Sequence, residues 1–180
     1  YPAIHLTDNK QPKVFLDVMN RVASEMDVRM EVRLSQRDLA SVMAMKMSSP
    51  KWASVGPLFG QREEYWEALA RMTAFLATAK NEAYGFEYLE ALVAGAIGVF
   101  PDAAWARKTV PEDYPYFYRT TDEAVSMLKD VLRDPETARN AINDAAGGSL
   151  REWILANNER SGGNEAIRKQ IEEWFPEIEA

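Results

Sequence analysis

Two hydrophobic periods alternate along this chain. Short apolar runs suited to strands occur at AIHL (residues 3–6), WASV (52–55), TAFLAT (73–78), AIGVF (96–100) and YFYRT (116–120). In a further stretch Val28, Met30, Val32 and Leu34 alternate with Arg29, Glu31 and Arg33, the pattern of a strand with one wet face. Between these runs the apolar positions fall at helical spacing. Val14, Phe15, Val18, Met19 and Val22 follow Pro12, which suits a first helical turn. Helices are also expected over Gln36–Met47, with Met43 and Met47 on one side, and over Gln61–Arg71, with Tyr65, Trp66, Leu69 and Met72 inward. One turn is expected around Trp105, and a helix capped by Thr120 or Thr121 runs to Leu132. Another helix starts at Asp134-Pro135, and two more close the chain near Gly147–Asn158 and Asn164–Phe175.

Strands that alternate with helices of this length pair in parallel through right-handed crossovers. The expectation is an α/β fold: a Rossmann-like, doubly wound, six-stranded parallel sheet of order 3-2-1-4-5-6 with extra C-terminal helices. Such sheets take ligands beyond the carboxyl ends of their strands, where the first and fourth diverge. The loops Thr7–Lys13 and Thr78–Gly85 both open onto that place. No GxGxxG follows the first strand, which argues against a dinucleotide, and no GxxxxGK[ST] is present.

The stretch NEAYGFEYLEALVAGAIGVF, Asn81–Phe100, carries the most chemistry. Gly85 opens a helix on which Phe86, Leu89, Leu92 and Val93 recur, and Gly95 ends it as a left-handed C-cap before a buried strand. Glu82 precedes the helix and Glu90 lies inside it, with seven residues between them. The plain reading makes Glu82, Glu87 and Glu90 solvated acids favoured by the positive helix end. The topology supports a sharper one. Free amides at Tyr84, Gly85 and Phe86 suit an anion, Gly85 lets it approach the backbone, and Lys10 and Lys13 supply positive charge. Glu90 can accept two hydrogen bonds from a cis-diol such as a ribose. An anion site beside a diol-binding carboxylate describes a nucleoside diphosphate.

Composition narrows the alternatives. The 180 residues suit one domain, and their 47% hydrophobic and 27% charged content is that of a globular protein. No apolar run approaches the roughly 20 residues that span a bilayer, and no signal-peptide pattern opens the chain. The absence of cysteine excludes disulfides, thiol catalysis and cysteine-held metal, and a single histidine, His5, excludes a multi-histidine zinc site. His5 itself reads as a packed or edge residue. A net charge of -7 argues against a nucleic-acid surface. The start at Tyr1-Pro2 reads as a cut into a longer protein.

On these residues the chain resembles the retaining glycosyltransferases of the GT-B fold, family 4 (glycosyl transferases group 1), through their Glu-x7-Glu signature. Glu82, Tyr84, Gly85, Glu90, Ala91, Gly95 and Val99 stand at matching positions. The resemblance implies that residues 1–180 are the donor-binding half, lacking an N-terminal acceptor domain and inactive alone. Glu90 would hold the ribose of a nucleotide-sugar donor. Glu82 would be the catalytic carboxylate, holding hydroxyls of the transferred hexose and stabilising positive charge at its anomeric carbon. The amides of Tyr84, Gly85 and Phe86 would face sugar and diphosphate, and Val55–Pro57, with Gly56, would lie against the base. Such enzymes usually need no metal or other cofactor. The partners implied are the nucleotide sugar, an acceptor hydroxyl of unknown class and the N-terminal domain, in a cytoplasmic protein whose relatives often dock to membranes through that other half.

Departures motivate a second reading. The family has an arginine after the first strand and a lysine followed by glycine at the first helix; here the arginine's place falls near His5–Thr7, and Lys13 is followed by Val14. Lys13 is the first choice for the phosphate lysine and Lys10 the next. A degenerate, non-catalytic transferase-like module is the alternative, with Trp105, Tyr114, Tyr116, Trp153 and Trp174 as surface aromatics, although core packing is their commoner use. A GT-B sugar epimerase or phosphorylase is a third reading.

Overall fold

Each strand of the fold is short and its end feeds a helix, so neighbouring strands point the same way. The computed structural model describes residues 1–3 and 5–158; the expected helix Asn164–Phe175 and Trp174 lie outside the described residues. The order is α1 (Pro12–Ala23), β1 (Met30–Leu34), α2 (Gln36–Leu39), α3 (Val42–Ser48), β2 (Ala53–Pro57), α4 (Arg62–Ala70) and β3 (Ala74–Leu76). There follow α5 (Phe86–Val93), β4 (Ile97–Pro101), α6 (Ala106–Thr109), β5 (Phe117–Tyr118), α7 (Thr121–Arg133), α8 (Pro135–Ala145) and α9 (Leu150–Asn158). All strand pairs are parallel. β1 pairs with β2 from Met30 opposite Ala53 to Leu34 opposite Pro57. β4 pairs with β3 through Ala74–Ile97 and with β5 through Phe100–Phe117.

The described residues therefore form two ladders, β1–β2 and β3–β4–β5, and not one six-stranded sheet. Ala3, His5 and Leu6, expected in a first strand, are in none. Pro2 has no N–H to give a ladder. The segment instead touches β1 where the Tyr1 amino group donates to the Glu31 carbonyl at 2.9 Å. The Tyr1 hydroxyl then donates to the carbonyls of His5 and Lys10, at 3.3 and 3.5 Å. A cleft of about 1220 Å³ opens between the ladders, lined by Tyr1, Phe15, Met30, Glu31, Phe75 and Leu76 among others.

Local chemistry explains where the helices begin and end. α1 starts at Pro12, and its buried face, Phe15, Val18 and Val22, packs on α7. α7 opens with a capping box, Thr120 bonding the Glu123 amide and Glu123 reaching back to the Thr120 amide. Asp134 caps α8, with Pro135 in its first turn. The helix expected over Gln36–Met47 is two: Ser41 breaks it, its hydroxyl accepting from the Ala44 amide at 3.1 Å to cap α3. Met47 is buried and Met45 exposed in consequence. The strand expected over 52–55 runs on through Gly56 and Pro57, and β3 and β5 are shorter than their apolar runs.

The core is continuous across both ladders. Trp66, Phe15, Phe100, Ile97, Val99, Val32 and Leu34 are fully buried, each such aliphatic or aromatic group contributing about 1.5–3 kcal/mol on transfer from water. Trp105, Tyr114, Tyr116 and Trp153 belong to this packing. Tyr114 donates to the Gly98 carbonyl at 2.8 Å and accepts from its amide at 3.2 Å. Among the described residues no helix is long and apolar enough to cross a membrane.

Candidate functional site

Two loops meet beyond the carboxyl end of β3. The Asn9 side chain donates to the Asn81 carbonyl at 2.8 Å and accepts from the Asn81 amide at 3.1 Å. The Lys80 amide donates to the Asn9 carbonyl at 2.8 Å, and the Thr78 hydroxyl donates to the Lys10 carbonyl at 2.7 Å. This stitching joins the loops that topology assigns to a ligand crevice. Gln11 then turns the chain into α1 with φ 47° and ψ 55°, making it the non-glycine residue at positive φ among those described. A β-carbon in that conformation is strained, and Gln11 holds it directly after Lys10.

Lys10 reaches across to the second loop. Its ammonium donates to Glu82 and, at 2.7 Å, to Glu87, and it lies 5.6 Å from the centre of the Tyr88 ring. The Tyr88 hydroxyl donates to the same Glu82 oxygen at 3.4 Å. Lys10 and Glu82 are largely buried, with side chains 15% and 13% exposed, while Glu87 is 31% exposed. Burial pulls the Lys10 ammonium down, but the hydrogen bonds and charges of the two glutamates outweigh it and hold it above the ordinary lysine range. Burial, followed by the Glu82 charge, pushes the Tyr88 hydroxyl up, so it remains a donor.

Gly85 makes this arrangement possible. It caps α5 at φ 70°, and a Cβ there would stand 2.8 Å from the Tyr88 ring. The helix that follows buries Tyr88, Leu89, Ala91, Leu92 and Val93 and turns Glu87 and Glu90, three residues apart, to one side. It ends as expected at Gly95, φ 96°, where the Gly95 and Ala96 amides donate to the Leu92 and Ala91 carbonyls at 3.0 Å each. Glu90 accepts from the Tyr65 hydroxyl at 2.6 Å and from Arg62 at 3.5 Å. Burial and the Glu90 charge push the Tyr65 hydroxyl up as well.

The other expected residues divide. Tyr84 and Phe86 stand beside the Lys10 cluster, but as exposed rings stacked at 4.4 Å, so Phe86 is not on the buried face of the helix. Its place at the first helical position, ahead of the turn that packs, is the reason. Lys13 is exposed in the first turn of α1 and takes no part in the cluster; the lysine brought to Glu82 is Lys10. Gly56 lies in β2 opposite Arg33, whose guanidinium a Cβ at Gly56 would meet at 2.8 Å. None of Lys10, Glu82, Glu87 and Glu90 lines the cleft between the ladders.

Sequence reasoning missed four partners. Tyr65 and Arg62 on Glu90 come from α4, separated in sequence by 25 and 28 residues, and no local signal marks them. Glu87 and Tyr88 lay inside the motif, where spacing does not reveal which side chains turn toward Lys10. His5, expected as a packed or edge residue, is exposed, its Nδ1 2.9 Å from Asp38. That bond, with one from Ser35 at 2.7 Å, holds the Asp38 carboxyl below the usual range. Among the described residues no group of three or more metal-ligating side chains is present. No protein-family model matches the chain.

Proposed function

We propose that this chain is the donor-binding half of a retaining GT-B glycosyltransferase that moves a hexose from a nucleoside-diphosphate sugar to an acceptor hydroxyl. The single observation that carries the reading is Lys10 meeting Glu82 across two stitched loops at the start of the helix that bears Glu90. A cation, a helix N-terminus and the carboxylates of Glu82 and Glu87 meet there. In this reading Lys10 and the free amides of α5 compensate the leaving diphosphate, an electrostatic role of large typical effect. Glu82 holds the hexose and steadies positive charge as the bond from its anomeric carbon to the diphosphate oxygen breaks. The acceptor oxygen bonds to that carbon, and its proton passes to the departing diphosphate oxygen. Glu90 has lone pairs to spare for ribose hydroxyls beyond those that accept from Tyr65 and Arg62.

The conformation at Gln11 favours Lys10 over Lys13 as the phosphate lysine. The family resemblance calls for a lysine followed by glycine, and Lys10 is followed by a residue at positive φ, where glycine is at ease. The order 3-2-1-4-5-6 belongs to this reading, supported by Tyr1 bonding the Glu31 carbonyl of β1 and by the Lys10 carbonyl accepting from Thr78 in the loop after β3. A cytoplasmic enzyme with an N-terminal acceptor domain and no resident metal belongs to the same reading.

One observation favours a non-catalytic module instead. Lys10 is already engaged by two carboxylates, and Glu90 by Tyr65 and Arg62, so the network is satisfied without a ligand. Calorimetric titration with UDP, GDP and ADP separates the readings. The expected outcome is saturable binding of one nucleotide, lost in Glu90→Ala with the far-UV circular dichroism unchanged. No binding of any of the three at millimolar concentration would overturn the donor reading in favour of the module.

A further inference from the structure

We propose that Glu87 is a built-in competitor for the anion site, an intramolecular carboxylate standing where a phosphate must stand. The inference rests on the donor-site reading and adds to it the residue that sets how strongly the site takes anions. Glu87 is the second residue of α5, so its carboxylate sits at the positive end of that helix, and its Oε1 accepts from the Lys10 ammonium at 2.7 Å. Cation and helix end are the two features that would recruit a diphosphate, and Glu87 uses both. Glu82 already neutralises Lys10, so with Glu87 the three side chains carry one net negative charge. An incoming diphosphate meets repulsion as well as an occupied donor.

The two glutamates are not equivalent. Glu82 is the more enclosed and is further held by the Tyr88 hydroxyl at 3.4 Å. Glu87, 31% exposed, has water on one side and can swing out without leaving a buried charge unpaired. Entry of an anion is thus an exchange of one carboxylate for one phosphate oxygen at Lys10. A ligand whose phosphate is absent or capped does not drive that exchange, so Glu87 tunes the site toward highly charged diphosphates.

Inorganic pyrophosphate is the probe, titrated by calorimetry at fixed low salt into wild type, Glu87→Gln, Glu87→Asp and Lys10→Met. Glu87→Gln removes the charge and keeps the shape. Its affinity should rise about tenfold, the size expected for removing one like charge a few ångströms away in a partly wet site. Glu87→Asp, which keeps the charge, should stay near wild type, and Lys10→Met should abolish binding. Glu87→Ala is the second route to the same measurement and must move in the same direction as Glu87→Gln. Equal affinity in wild type and Glu87→Gln, with binding still lost in Lys10→Met, overturns the competitor role while leaving the donor reading standing. Weaker binding in Glu87→Gln overturns it by making Glu87 a ligand contact. No binding by either protein overturns the donor reading and this inference together.

Discussion

Two ion networks sit at the carboxyl edge of the β3–β4–β5 ladder, and they are opposites in charge. After β3, one cation, Lys10, serves two acids, Glu82 and Glu87. After β4, one acid, Asp102, serves two cations, accepting from Arg107 at 2.5 Å and Arg119 at 2.9 Å. Burial separates them more than stoichiometry does. The shared ions are alike, Lys10 15% and Asp102 16% exposed, and the difference lies in their partners: Glu82 and Glu87 are 13% and 31% exposed, Arg107 and Arg119 46% and 76%. Water and salt can replace what Asp102 offers its arginines, and an exposed network of this kind adds little to stability. Lys10 has no such substitute, so removing it strands two carboxylates. The comparison teaches that the inner network is held together against its own charge, which is where a ligand has something to gain by exchange.

The largest effect should come from Lys10→Met. It leaves Glu82 and Glu87 without their cation, and urea unfolding at neutral pH should show a loss of about 2 kcal/mol, less than a fully buried pair because Glu87 is partly wet. A loss indistinguishable from zero would make the two networks alike. Gly85→Ala should follow at about 1–2 kcal/mol, since the new Cβ is both strained at positive φ and pressed on Tyr88. Tyr88 fluorescence quenching should change in that variant, because the ring must move away from Glu82.

The smallest effect belongs to Asp102, and pH gives its sign. The guanidinium groups of Arg107 and Arg119 hold its carboxyl down at about 2. A carboxyl depressed in the folded protein stabilises fully above its unfolded value of about 4 and loses that contribution as pH falls. The melting-temperature gap between wild type and Asp102→Asn should be small at pH 6 and close as pH is lowered from about 4 toward 2. It should also close in high salt, unlike the gap for Lys10→Met. The Lys10 ammonium, held above the ordinary lysine range, keeps its charge through that whole window and would be lost only at strongly alkaline pH.

Much of the fold could be read from local pattern because the relevant forces are local. A threonine cap at 120 or 121, Asp134 before Pro135, and the Gly85 and Gly95 ends of α5 are signals spanning a few residues; the cap is Thr120, and the others stand where pattern put them. The buried run at Ile97–Phe100 and the alternation at Met30–Leu34 announced strands by the same logic. The misses share a different cause. Phe86 carries the right spacing for the core, yet its first-turn position leaves it stacked on Tyr84 in water. AIHL has strand composition, yet hydrogen-bond partners decide whether a strand forms, and the bond given to β1 comes from the Tyr1 amino group, ahead of Pro2.

For the candidate site, residue types along the chain supplied the inventory: a glycine-capped helix start, carboxylates at Glu82 and Glu90, and lysines in the first loop. That much follows from residue type and short-range geometry. Which lysine faces which acid was decided only by tertiary structure. Lys10 and Lys13 are three residues apart, but the left-handed turn at Gln11 sends one to Glu82 and leaves the other on the outer side of α1. The partners of Glu90 come from α4, and the double hold on Lys10 depends on a helix start and a loop distant in sequence coming within 3 Å. Such contacts are set by how whole elements pack, and no spacing along the chain encodes them.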